Sequence, residues 1–288
     1  MLEPWNEHRG PGGISIPVAE LEGSQPGPTW LLAGAVHGDE YEGPEAIRRI
    51  VAELNGRDFP GSVIAMPITN PMAYAAGTRC SPEDGGNLNR VFPGKMDGTL
   101  TEQWGHWIWQ SFAERADRMV DIHSGGTTLK IETMAGFWHD DDASLAGIFP
   151  FVPWRISDLP GVFSCEFRRR RGPAIGLELG YGGNRQESSV RLVHESIIRL
   201  IHGETAVVRG PIYQSTNIDA NCDGEWNTAC DLCDSVTEGQ LLGTVTDWYG
   251  RELELIRSPA KGRVLAIRNL VSVRKGELVA VHGRKVLS

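Results

Sequence analysis

The sequence has little cysteine, no long apolar run and a shortage of basic charge, and each shortage excludes something. Five cysteines in 288 residues, at positions 80, 165, 222, 230 and 233, are an odd number and too sparse for a disulfide framework. A reducing, cytoplasmic setting is the expectation. No uninterrupted apolar stretch reaches the roughly 18 residues that a membrane-spanning helix needs, so no membrane partner is expected. The opening residues Met1-Leu2-Glu3-Pro4-Trp5 carry no apolar core of an export signal. Lys and Arg number 28 against 37 Asp and Glu, a net charge of −9. That balance disfavours non-specific nucleic-acid binding and directs attention to a small-molecule partner. A homo-oligomer is left open.

What remains is ordinary globular material, 40% hydrophobic and 23% charged, in a chain long enough to bury a large core. Composition shifts near residue 204. Before it, apolar strand-like runs alternate with helical periods; after it, short β-type runs are separated by Gly. This predicts an α/β domain over 1–204 and a β-rich domain over 205–288. Strands are predicted at 30–36, 62–68, 119–122, 162–167 and 174–179. Helices are predicted at 45–54, at 102–116 behind a Thr101 cap, and at 187–201.

The sharpest local feature is His37-Gly38-Asp39-Glu40, directly after the apolar run 30–36. In open α/β sheets ligands bind at the carboxyl ends of strands. A His and a carboxylate three residues apart in a turn can chelate one cation. Zinc takes both donor types, and a catalytic zinc needs three protein ligands with one position open. His123 closes another apolar strand, beside Gly125-Gly126, and is the third candidate. Alone, a His-x-x-Glu pair in a chain with eight histidines is common. The shared position at strand ends, next to Gly, sets these three apart.

Two further features bear on chemistry. A long Gly/Pro-rich connection from Asn70 to Gly94 carries Arg79, Asn89 and Arg90; such loops are often functional, and Arg forks grip carboxylates. A solvated surface loop explains the spacing equally well. Glu178 sits inside the apolar run 174–179. It is either a residue facing solvent or a general base and acid beside an activated water.

Together the segments 34–40, Asn70-Pro71, Arg79, Asn89-Arg90 with Phe92-Pro93-Gly94, 121–125 and 178–180 resemble the succinylglutamate desuccinylase/aspartoacylase family. They stand in the family's order and span most of residues 30–200. The resemblance implies a zinc-carboxypeptidase-like mixed sheet flanked by helices, with a smaller all-β, barrel-sandwich-like C-terminal part. It implies one Zn²⁺ per chain on His37, Glu40 and His123. It implies Arg79 as polariser of the scissile carbonyl, Asn89 and Arg90 as clamp on a substrate carboxylate, and Glu178 as general acid/base. Within the family, the motifs look most like bacterial N-α-acetyl-L-2,4-diaminobutyrate deacetylases. The stretch from His123 to Glu178 is shorter than in that branch and carries Arg168-Arg169-Arg170-Arg171, which reads as a solvated turn or as a receiver for an acidic substrate group. The implied activity is hydrolysis of a small N-acyl amino acid. A carboxypeptidase-like exopeptidase and a non-catalytic metal- or ligand-binding module are the alternatives.

The runs after 236 resemble a biotinyl/lipoyl-type sandwich. The turn at Tyr249-Gly250-Arg251 has no Lys to modify, so a lid or assembly role is expected rather than a carrier. Cys222, Cys230 and Cys233 have no His nearby in sequence and are expected to be inert thiols.

Overall fold

The computed structural model describes residues 4–180 and 183–286; residues 1–3, within the stretch read for an export signal, lie outside it. In chain order the first half forms β1 (Trp5–Arg9), β2 (Ser15–Glu22), β3 (Gln25–Gly34), α1 (Glu42–Leu54), β4 (Pro60–Met66), α2 (Pro71–Ala76) and α3 (Leu100–Ser111). Next come β5 (Arg118–Ser124), β6 (Leu129–Ile131), β7 (Met134–Phe137), α4 (Ala143–Ala146), β8 (Val152–Arg155), α5 (Phe163–Arg170), β9 (Ala174–Leu179) and α6 (Glu187–Ile201). The remainder is all strand: β10 (Ile212–Asp219), β11 (Gly224–Thr228), β12 (Ser235–Val236), β13 (Leu241–Thr246), β14 (Glu252–Arg257), β15 (Gly262–Arg268), β16 (Ser272–Val273) and β17 (Leu278–Val286).

Thirteen strands share one mixed sheet in the order β1-β2-β4-β3-β5-β9-β7-β8-β10-β17-β15-β12, with β6 paired to β15. Its centre, β4-β3-β5-β9, is parallel, which explains why those strands read as continuous apolar runs. Helices cover both faces. Ile47, Ile50 and Val51 of α1 pack with Val190, Val193 and Ile197 of α6 on one side. Trp104, Ile108 and Trp109 of α3 pack with Phe163 and Phe167 of α5 on the other. The second sheet, β14-β13-β11-β16, is antiparallel. It closes a third core with Trp226, Leu242 and Val245 against Val264 and Val279 of the large sheet. The segment around residue 204 lies between α6 and β10, and β10 pairs in parallel with β8. No helix among the described residues is long and apolar enough to cross a membrane.

Two local expectations need correction. Residues 163–167 form the start of helix α5, with Val162 as its extended N-cap, and not a strand. Phe163 and Phe167, four apart, bury on one side, while Glu166 pairs with Arg169 at 3.1 Å and Arg170 at 2.9 Å, at helical spacings. A six-residue apolar run is too short for periodicity to separate the two readings. The cap of α3 is Thr99, not Thr101. The Thr99 side chain accepts from the Glu102 N–H, and Glu102 reaches back to the Thr99 N–H at 2.9 Å. Thr101, the second residue of the helix, is buried, and its hydroxyl donates to Asp84 at 2.6 Å.

Candidate metal centre

The chain leaves β3 through Ala35, whose φ of 46° turns it sharply, and delivers His37 to Glu40 at the strand's carboxyl end. Neighbours pin this turn. The Ala35 carbonyl accepts from Asn70 N–H at 3.0 Å, and the Gly38 N–H donates to the Thr78 carbonyl at 2.9 Å. A Cβ on Gly38 would stand 1.9 Å from the Ala73 carbonyl carbon, so only glycine lets α2 pack this closely. Asn70, which caps α2 by accepting from Ala73 N–H, also donates to Ser81 Oγ at 3.2 Å. The start of the Arg-bearing connection is thus bound to the His37 turn.

His123 enters from β5, next to β3, and Glu178 lies opposite it in the β5–β9 register. Glu40 stands between the two imidazoles. Its Oε1 is 2.8 Å from His37 Nδ1 and its Oε2 is 3.0 Å from His123 Nδ1. All three side chains are buried. Among the described residues they form the one group of His, Cys, Asp and Glu side chains spaced to share a metal ion.

The outer nitrogens fix the tautomers. Asn87 Oδ1 accepts from the Asn89 N–H at 2.9 Å, which orients that amide, and lies 3.2 Å from His37 Nε2. Asp121 Oδ2 lies 3.1 Å from His123 Nε2. Each Nε2 faces an oxygen that can accept its proton, and each Nδ1 faces the Glu40 carboxylate. Two imidazoles and a carboxylate buried together at these distances can hold a cation among them. Imidazole nitrogens and a carboxylate, with outer nitrogens held by an amide and a carboxylate, are a donor set that suits zinc.

The electrostatics differ between the two imidazoles. Burial pushes the Glu40 carboxyl up, but His37 and His123 outweigh it and hold it ionised, well below the usual range. Burial and then Arg79 push His37 down to about 4, the neutral form a ligand needs. At His123 burial is overcome by the Asp121 and Glu40 carboxylates, which favour positive charge there. Burial raises the Glu178 carboxyl; His123 opposes this and Glu40 adds to it.

The other expected residues gather at the same place. Arg79 Nη1 is 3.3 Å from Glu40 Oε1. Asn89 Oδ1 accepts from the Phe163 N–H at 2.8 Å, satisfying the first amide of α5, and its Nδ2 lies near His123. Arg79, Asn89, Arg90 and Glu178 line one cavity of about 400 Å³ together with His37 and His123. Desolvation in this cleft and the neighbouring Arg79 lower the pKa of Arg90. Ser215 and Asn217 of β10 and Leu278 and Val281 of β17 complete part of the wall.

The Arg168–Arg171 run does not reach the cavity. Arg168 pairs with buried Asp142 at 2.6 Å, Arg169 with Asp158 and Glu166, and Arg170 with Glu166. The five cysteines are unbridged. Two participants, Asn87 and Asp121, fall within motifs read from the sequence but were given no role there. Asp121 had a signal: two before His123 on a strand, it projects to the same face. Asn87 had its place in the connection, where aspartoacylases more often carry Asp.

Residues 26–200 match the succinylglutamate desuccinylase/aspartoacylase catalytic domain. The chain belongs to the succinylglutamate desuccinylase/aspartoacylase family. A curated relative from Halomonas elongata, N-alpha-acetyl-L-2,4-diaminobutyric acid deacetylase, is 33% identical over 98% of this chain and 90% of its own. The product-bound structure of the ectoine utilization protein EutE (DoeB) from Ruegeria pomeroyi superposes with a TM-score of 0.83 at 28% identity, covering 97% of this chain and 93% of that one. A succinylglutamate desuccinylase/aspartoacylase from Rhodobacter sphaeroides gives 0.83 at 26% identity, covering 96% and 91%. The family's large mixed sheet with a second antiparallel sheet is the architecture found here.

Proposed function

We propose that this protein hydrolyses the amide bond of a small N-acyl amino acid, with one zinc ion held by His37, Glu40 and His123. Zinc there would supply the Lewis acidity that makes water nucleophilic at neutral pH and polarises a carbonyl. The chain's own side chains do the rest. Arg90 holds the substrate carboxylate, with Asn89 beside it. Arg79 donates to the carbonyl oxygen as negative charge develops on it. Glu178, its carboxyl raised by burial, takes the proton of the attacking water and returns it to the departing amine nitrogen.

The observation that carries this reading is the convergence, in one cavity, of a buried His-Glu-His group, two guanidinium groups and a carboxyl of raised pKa. Family membership and a curated relative named as a deacetylase support it. The wall built by β10 and β17 favours a small substrate over the end of a peptide.

The test joins elemental analysis with a hydrolysis screen. About one zinc per chain is expected, with turnover of an N-acetyl amino acid that a chelator abolishes. Glu178→Gln should keep the zinc and lose roughly 100- to 10,000-fold in kcat. Full activity in that variant would remove Glu178 from the chemistry. Zinc without turnover of any N-acyl amino acid would favour the binding module, and cleavage of dipeptides alone the exopeptidase.

A further inference from the structure

Resting on that reading, we infer that the amino acid released by this enzyme carries a bulky apolar side chain rather than a charged one. Beyond its polar end the cavity is walled by Met134, Trp138, Trp154, Ile156, Leu159 and Val162, with more aliphatic surface from β6 and β17. The other polar groups there are neutral: Ser124, Ser157, Ser164, Ser215 and Asn217.

The charge inventory decides against ionic side chains. Among the described lining residues Glu178 is the one carboxylate, and the proton transfers engage it. A side-chain ammonium would lie in this chamber with no acidic partner, at a steep desolvation cost. The Halomonas relative is named for diaminobutyric acid, whose side chain ends in an amine, so the lining here points to a different substrate. A second carboxylate fares no better. The basic lining groups are the two imidazoles of the metal group, Arg79 at the carbonyl and Arg90 at the α-carboxylate. Arg168, Arg169 and Arg170 pair with the chain's own carboxylates, and Arg171 donates to the Ala116 carbonyl.

Geometry says which half of the substrate enters the apolar chamber. The loop bearing Leu159 and Val162 packs on the carboxylate clamp: the Gly161 carbonyl accepts from Phe92 N–H at 3.1 Å, and Asn89 Oδ1 accepts from Phe163 N–H. In an α-amino acid the carboxylate and the side chain leave the same carbon. With the carboxylate on Arg90, the side chain goes to Leu159 and Val162. The floor suits a flat group. A Cβ on Gly176 would lie only 3.1 Å from the Trp138 ring and 3.4 Å from Ile156, so the glycine lets both settle low over β9. The Trp154 Nε1–H donates to Ser215 Oγ at 2.9 Å, which satisfies that indole's one polar group.

The test compares kcat/KM on the zinc-loaded protein for the N-acetyl derivatives of L-phenylalanine, L-leucine, glycine, L-aspartate and L-2,4-diaminobutyrate. The phenylalanine or leucine derivative should exceed each charged one by at least about tenfold. A preference for the diaminobutyrate or aspartate derivative overturns this inference and leaves the proposed hydrolysis standing. Failure of every derivative overturns both. N-hexanoylglycine is the control for placement, since a gain there equal to that of N-acetylphenylalanine would put the apolar contact on the acyl side and overturn the inference. Leu159→Asp, at a position 41% exposed and so tolerant of change, should shift preference toward the diaminobutyrate derivative by about tenfold. Calorimetric binding of free L-phenylalanine and L-2,4-diaminobutyrate gives a readout apart from turnover. Wild type should bind the former more tightly, and Leu159→Asp should narrow the gap.

Discussion

Asp121 Oδ2 lies 3.1 Å from His123 Nε2, two residues back along the same strand and on the same face of it. The same oxygen accepts from Ser164 Oγ–H at 2.9 Å, so the imidazole is set by a carboxylate itself fixed from α5. Asp121→Ala should weaken zinc affinity by roughly 10- to 100-fold, read by competition with a chelator of known affinity. An unchanged affinity would show that the His123 ring is oriented by packing alone.

Among the described residues Arg79 makes one ionic contact, to Glu40 at 3.3 Å, and it lines the cavity. Arg79→Ala should leave about one zinc per chain and lower kcat/KM by roughly 100- to 1000-fold. Loss of zinc instead of rate would make Arg79 a prop for Glu40.

Gly38 faces the α2 backbone with no room for a methyl group. Gly38→Ala should cost about 3 kcal/mol, seen as a Tm lower by roughly 5–10 °C. Zinc affinity should fall with it, because the strained turn carries both His37 and Glu40. A variant as stable as the wild type would mean that α2 can move aside freely.

Burial pushes the Cys165 thiol up to about 11, with Asp158 close to its sulfur. At pH 8 only about one such thiol in a thousand is ionised, and the thiolate is the reactive form. Iodoacetamide should therefore leave Cys165 unmodified in the folded protein and label it once denaturant is added. Peptide mass mapping distinguishes the two states, and rapid labelling of the native protein would contradict the burial described.

Much of the site was legible because its information is local. An apolar strand followed by His, Gly and a carboxylate is a pattern in contiguous residues, and His37, Glu40 and His123 do meet. The strand Ala174–Leu179 and the helix Glu187–Ile201 fall at their predicted limits for the same reason. What was not legible depends on partners distant in sequence. The run at 162–167 became a helix through the packing of Phe163 and Phe167 and through arginines lying beyond the apolar run. The four arginines read as a solvated turn or a receiver for an acidic substrate group until folding brought Asp142 to Arg168 and Asp158 to Arg169. Asn87 acquires its contact with His37 only when a loop fifty residues away folds over the turn.

The parallel pairing of β10 with β8 has a consequence for any attempt to isolate the metal-bearing half. Trimming the chain after α6 would strip the hydrogen-bonded neighbours from β8 and from β6, which pairs with β15. Two raw strand borders would then face solvent beside a halved binding chamber, and such borders recruit other chains. A fragment ending there should precipitate or self-associate rather than behave as a smaller catalyst.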